Sequence, residues 1–206
     1  MVIQIPCGIF VTMKHENTKQ FIIEKTAPIF NKKGYTGTYL SDLTEATGLT
    51  KGGIYCNFKN KNEVAVEAFR FNLKRLTEKI QKEVIIKEKA NEKLLAFIHF
   101  YRHNYQEVFQ NGGCAILNTS VDADDVNESL HKEAVRALLS WKNTIEGIVK
   151  EGILNKELKG IDPEKFSCKM IALVEGSIML AKTLNKPEYL INNIEFLEKE
   201  IREITN

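Results

Sequence analysis

The residues best equipped for chemistry cluster between Gly34 and Lys61. Thr50, Lys51, Gly52, Gly53, Tyr55, Lys59 and Lys61 put a hydroxyl, cations, a phenol and two bare backbone units into one short run. That set suits an anion. Amides unshielded by side chains at the start of a helix, with the helix dipole behind them, approach a phosphate or a base edge closely. Thr50 and Lys51 add a hydroxyl and an ammonium to the same rim, and Tyr55, Lys59 and Lys61 have polar tips long enough to clamp a flanking backbone. Each of the two glycines lowers helix propensity by about 1 kcal/mol relative to alanine, which a helix that only fills a core rarely accepts.

Elsewhere the reactive side chains lack the spacing that catalysis needs. His99 and His103 share a helical face at a metal-compatible separation, but spacing fixes no third ligand, and a pair of ordinary polar groups is the simpler reading. Asp122, Asp124 and Asp125 have oxygens for a cation, yet as acids in a turn before a helix they read better as caps. Cys114 follows Gly112-Gly113 at a helix start that favours thiolate; the competing reading is a small residue filling a tight bend. With no Ser-His-Asp ordering, phosphate loop or metal motif in a confirming context, neither catalysis, a metal nor a cofactor is expected. Cys7, Cys56, Cys114 and Cys168 form no CxxC pair and read as reduced cytoplasmic thiols.

The elements that must position these groups are helices. In 206 residues, 43% hydrophobic with only 4 Pro, apolar positions recur at helical spacing almost throughout, and no strand pattern competes. About nine helices are predicted. They cover roughly 16–33, 39–47 (capped by Thr38), a very short one to Asn57, and a long one opened by an Asn60/Glu63 capping box. Others follow at 91–109, 114–121, 127–152, 163–184 (capped by Asp162) and from Pro187 onward. Pro28 is expected to kink the first. No apolar run approaches the ~20 residues of a membrane helix. Residues 14–82 hold 13 Lys+Arg against 7 Asp+Glu, and residues 83–206 hold 16 against 20. A basic first third joined to a mildly acidic remainder suggests an anion-facing module coupled to something else. Met1 to Val11 is apolar and uncharged without the features of a secretory signal, so residues 1–13 read as a loosely ordered extension.

Leu40, Leu43, Ala46, Leu49, Ile54 and Phe58 are spaced to pack two short helices across the turn at Gly48, which is helix-turn-helix geometry. This segment resembles the tetracycline-repressor (TetR) family of bacterial regulators. The resemblance is carried by Phe30, Gly34-Tyr35, Thr38, Asp42-Leu43, Ala46, Gly48-Leu49-Thr50-Lys51-Gly52, Ile54-Tyr55, Phe58 and Lys61, and spans about Ile22 to Ala68. Residues 107–133, with Gly113-Cys114 and Asn118, are similar to a subgroup of that family. The chain departs from the family pattern at Pro28, at Tyr39, where a small Ser or Thr is usual, and at Cys56, where His or Tyr is common.

The resemblance implies an all-α protein with a three-helix DNA-binding domain over 14–62, its long connecting helix reaching about 82. A helical ligand-binding and dimerisation domain would follow over 83–206. It implies a DNA-contacting set of Thr38, Thr50, Lys51, Gly52, Gly53, Tyr55, Asn57 and Lys61, with Tyr55 and Lys61 on phosphates and Lys51, Gly53 and Asn57 nearest the bases. Aromatic residues on the middle helices suit the wall of a ligand cavity, for which His103, Tyr105, Cys114, Asn118 and Trp141 are the candidate ligand-binding residues. Small residues at Ala172, Gly176, Ser177 and Ala181 suit close packing of the last two long helices in a homodimer. The reading is thus a cytoplasmic regulator of an operator in double-stranded DNA, a repressor released by a small-molecule effector. The alternatives are an all-α small-molecule binder or enzyme with a vestigial helix-turn-helix, and a helical adaptor for protein partners.

Overall fold

The structure is a computed structural model that describes residues 12–206, with side chains from Glu16 onward; the expected extension, as far as residue 11, lies outside the described residues. Among the described residues there are nine helices: α1 (Thr12–Lys33), α2 (Leu40–Thr47), α3 (Lys51–Tyr55), α4 (Lys61–Val84), α5 (Ala90–Gln110), α6 (Ala115–Ala123), α7 (Glu128–Leu154), α8 (Pro163–Thr183) and α9 (Glu188–Glu203). The expected all-α class holds, and the one departure from helix pairing is an isolated bridge between Leu158 and Thr205.

Most boundaries follow from local chemistry. Gly34 ends α1 in the left-handed region at φ 70°, and Gly48 ends α2 at φ 68°. Asp162 accepts the N–H groups of Glu164 (3.0 Å) and Lys165 (3.1 Å), with Pro163 at the first helical position, where its missing donor costs nothing. Asn60 Oδ1 accepts the Glu63 N–H (3.0 Å), but the reciprocal carboxylate reaches the Lys59 N–H (2.6 Å) rather than that of Asn60. α1 begins at Thr12, ahead of the predicted start, and continues through Pro28.

Two capping assignments need correction. The N-cap of α2 is Tyr39, whose N–H is held by the Asp42 carboxylate at 2.7 Å. Thr38 instead turns inward, fully buried, and donates its hydroxyl to the Gly34 carbonyl at 2.6 Å. A threonine hydroxyl can serve the turn behind it as readily as the helix ahead. The acids at 122–125 do not cap α7 either. Asn127 does so, its Oδ1 accepting the Leu130 N–H at 3.1 Å, while Asp122 lies in the last turn of α6 and accepts the Tyr35 N–H.

The chain divides into two compact units: residues 1–74 with 115–135, and residues 75–114 with 136–206. α6, which sequence order groups with the C-terminal domain, therefore falls with the helix-turn-helix. In the first unit Ile22, Leu43, Ile54 and Val64 are completely buried and join α1, α2, α3 and α4 in one core. In the second, α9 packs on both α8 and α5, with Leu94, Met170, Leu190 and Ile201 fully buried. No described helix is long and apolar enough to cross a membrane.

Gly152 shows how tightly the second unit is filled: a Cβ there would sit 2.4 Å from Ala90 Cβ and 2.8 Å from Leu158 Cδ1, whereas one on Gly147, exposed on the same helix, would meet nothing within 4 Å. Gly152→Ala is expected to destabilise the fold by about 1–3 kcal/mol through overpacking. Gly147→Ala is expected to stabilise it by about 0.5–1 kcal/mol through propensity. Chemical denaturation midpoints of the two variants, shifting in opposite directions, check this.

Candidate nucleic-acid interface and a polar cluster in the second unit

α3 has only five residues and a single buried side chain, Ile54. A helix so short is unstable alone. Its existence rests on burying Ile54, worth about 1.5–3 kcal/mol, and on the Thr50 cap, whose hydroxyl accepts the Gly53 N–H at 3.2 Å. The preceding turn is closed by the Thr47 hydroxyl, which donates to Leu43 O (2.6 Å) and accepts the Leu49 N–H (3.3 Å). Everything that makes α3 a helix therefore lies on its inner side and at its cap.

Its outer side holds the candidate contacts. Thr50, Lys51 and Gly52 are exposed, and Gly53 and Tyr55 half-exposed. Neither glycine is demanded by the protein's own packing. A Cβ on Gly52 would come no nearer than 3.9 Å to Thr50 Oγ1, one on Gly53 no nearer than 3.5 Å to Leu49 Cβ, and neither has a positive φ. Two predicted contacts turn inward. Thr38 is buried, and the Asn57 side-chain amide donates to the Gly53 carbonyl at 2.9 Å, tying the end of α3 back on itself.

Lys61, at the start of α4, is half-buried with its ammonium 4.2 Å from the centre of the Tyr35 ring, within the range of a cation–π contact. Partial burial lowers its pKa, while Asp122 and Asp42 act in the opposite sense. Asp42 is held below the usual carboxylate range chiefly by the Lys33 ammonium at 2.7 Å. Tyr35 is itself fixed by Asp122, and on the same face of α6 Asn118 donates to the Asn31 carbonyl at 3.0 Å. Asn118, predicted to bind ligand, is thus a tie between α6 and the end of α1. Sequence spacing had no signal for either bond, since both partners lie 87 residues away.

The remaining ligand candidates lie in the second unit, where the structure gathers only some of them. Trp141 packs on Phe97 (ring centres 5.6 Å) and Phe97 on Tyr101 (5.9 Å). Cys114 is buried beside this chain of rings, close enough to Tyr101 to help raise the phenol pKa, although burial is the larger cause. His103 is exposed and pairs with the His99 ring at 6.0 Å, and Tyr105 packs on Phe109 at 5.6 Å. His99 faces Glu198 at 3.3 Å; among the described residues, no group of three metal-ligating side chains forms around the pair or elsewhere.

The residue that sequence reasoning missed is Glu175 on α8. Burial pushes its carboxyl up to about 7, the Cys114 thiol beside it acting weakly in the opposite direction. Neither carboxyl oxygen has a hydrogen-bond partner, nor has the buried Trp141 Nε1.

On α8 and α9 the small residues divide. Ser177 and Ala181 are buried within the protomer, the Ser177 hydroxyl donating to the Leu173 carbonyl, so they do not belong to an outward seam. Ala172 and Gly176 remain outward, joined by exposed Met179, Leu180 and Phe196.

Residues 22–68 match the family described as bacterial regulatory proteins, tetR family, and residues 90–197 the tetracyclin repressor-like C-terminal domain. The fatty acid metabolism regulator protein of Bacillus subtilis is 26% identical over 73% of this chain and 76% of its own length. The repressor DhaR of a Mycobacterium species is 23% identical over 82% of this chain and 85% of its own. Among solved structures, a TetR-family transcriptional regulator from Cytophaga hutchinsonii superposes with a TM-score of 0.88 at 42% identity, covering 96% of this chain and 98% of its own. FadR from Bacillus subtilis, in complex with stearoyl-CoA, shares the fold with a TM-score of 0.68 at 22% identity, over 88% and 96%. With both of its halves matched, and a solved relative aligned along nearly its whole length, the chain belongs to the TetR family of ligand-responsive, DNA-binding transcriptional regulators.

Proposed function

We propose that the protein is a cytoplasmic homodimeric repressor whose two α3 helices enter successive major grooves of a palindromic operator and leave it when a small-molecule effector binds the second unit. The observation that carries this reading is the pair of glycines on α3. They weaken the helix, no positive φ calls for them, and no neighbouring atom of the chain lies where a side chain would be. What they leave free is close approach from outside, by a phosphate or base edge.

In this reading Lys51, with Gly52 and Gly53, faces the base edges, Thr50 lies on the same rim, and Tyr55 and Lys61 hold backbone phosphates. Thr38 drops out because it is buried with its hydroxyl on the Gly34 carbonyl, whereas Asn57, its amide N–H on the Gly53 carbonyl, keeps an Oδ1 without a partner. One α3 reads few base pairs, so two-fold symmetry with half-sites about 34–36 Å apart supplies the remaining contact. The outward Gly176, Met179, Leu180 and Phe196 of α8 and α9 form the dimer seam. The rings of Phe97, Tyr101 and Trp141 favour an effector with an apolar body, in keeping with a relative concerned with fatty acid metabolism.

Fluorescence anisotropy with duplex DNA tests the reading, which fails if binding is weak and insensitive to salt. Lys61→Ala is expected to weaken binding on all sequences and to flatten the slope of log K against log salt by about one unit. Lys51→Ala is expected to change which sequences are preferred. Gly52→Ala separates stability from function: the denaturation midpoint should hold or rise, by up to about 1 kcal/mol, while affinity for DNA falls at least several-fold. For the seam, Phe196→Glu is expected to shift sedimentation velocity from dimer to monomer.

A further inference from the structure

The core of the second unit is largely apolar, yet it leaves hydrogen-bonding positions unmet. Both oxygens of Glu175 and the Nε1–H of Trp141 are buried without a partner in the protein. Buried polar groups are nearly always paired, so such exceptions need a reason. The one neighbour that favours the ionised carboxyl is the Cys114 thiol, a weak donor whose effect is smaller than the cost of burial. No lysine or arginine contributes to its surroundings. Tyr101, which feels the charge of Glu175, begins a row of rings that continues through Phe97 to Trp141.

The missing partner must supply donors to a carboxylate in surroundings of low polarity, where opposite charge is worth most. It must also tolerate, or gain from, contact with aromatic ring faces, as a cation does. A cationic partner also offsets the burial that raises the Glu175 carboxyl, because opposite charge favours its ionised form. We propose that Glu175 and Trp141 form a recognition site for an organic cation on an apolar body, the carboxylate meeting a protonated or quaternary nitrogen and the indole N–H meeting an acceptor beside it. The proposal rests on the effector-responsive reading above and narrows its ligand class.

Trp141 is the sole tryptophan in the sequence, so its emission reports directly on this site. Three probes share one body and differ only in the head: phenylbutylamine, phenylbutanol and phenylbutyrate. The amine is expected to bind at least about tenfold more tightly than the alcohol or the acid, and Glu175→Gln, isosteric and checked for helicity by circular dichroism, to bring amine and alcohol within about twofold of each other. An amine no tighter than the alcohol in the unaltered protein, or no response of Trp141 to any probe, overturns the proposal whatever the variant does. Salt-dependent DNA binding of the same preparations is measured alongside. If it persists while amine selectivity is absent, only the cation site fails; if it is absent, the regulator reading fails with it.

Discussion

The geometry of the DNA-reading unit turns on one carboxylate. Asp122, in the last turn of α6, accepts the Tyr35 N–H and lies where a Cβ on Gly34 would come within 2.7 Å of its carboxyl atoms. Residue 34 is therefore glycine for two reasons, its φ of 70° and the closeness of Asp122. Further contacts follow from that point. The carbonyl of Gly34 takes the Thr38 hydroxyl, which holds the turn into α2, and the ring of Tyr35 supports the ammonium of Lys61. Asp122 also bears on the charge of that lysine, so one side chain influences both the backbone and the field of the candidate interface. Asn118, four residues earlier on α6, bonds the Asn31 carbonyl, and two attachments about a turn apart restrain rotation of α6.

How much of this was legible in the sequence depends on the range of each interaction. Gly34, Gly48, Asn60 and Asp162 could be read because a cap or a helix stop acts within three or four residues. The helices themselves were legible because apolar periodicity needs no knowledge of the partner. Residues whose partners lie far along the chain were misread. Asp122 passed for a cap, because short polar side chains near helix ends have many local uses and nothing in the sequence reports a distant N–H. Ser177 and Ala181 shared the small size of Gly176 but not its face. Glu175 was overlooked for a different reason: a glutamate inside a helix is ordinary, and only its burial makes it unusual.

The contrast between two groups of buried polar atoms gives that burial its meaning. Beneath α4 and α7, Asn62 donates to Ser129, Ser129 to Asn127 and Asn127 back to Asn62, at 2.7, 2.9 and 2.7 Å, a closed ring in which each member both gives and accepts. Such a ring rigidifies a core because each of its bonds holds the others in place. Glu175 and Trp141 have no counterpart of this kind. A carboxyl in that position gains nothing for the fold that a leucine would not supply better, since pairing, not burial, makes a buried charge tolerable. Its presence is intelligible once the empty positions are counted as belonging to a partner outside the chain.

The arrangement of the units also bears on how an effector signal reaches DNA. The chain passes between them within α4, just before α6 and within α7, so neither unit is a separate stretch of sequence. A ligand shifts an equilibrium only by the difference in its affinity for the two states. Coupling between sites in regulators is typically about 1–3 kcal/mol. That is the scale of one or two hydrogen bonds to charged or backbone groups, each worth about 0.5–3 kcal/mol net. The attachments of Asp122 to Tyr35 and of Asn118 to Asn31 are bonds of that kind, both within the unit that holds α3. No wholesale refolding of the DNA-reading unit is needed. α3 itself is held by little more than Ile54 and its cap, so its placement depends on the elements packed around it.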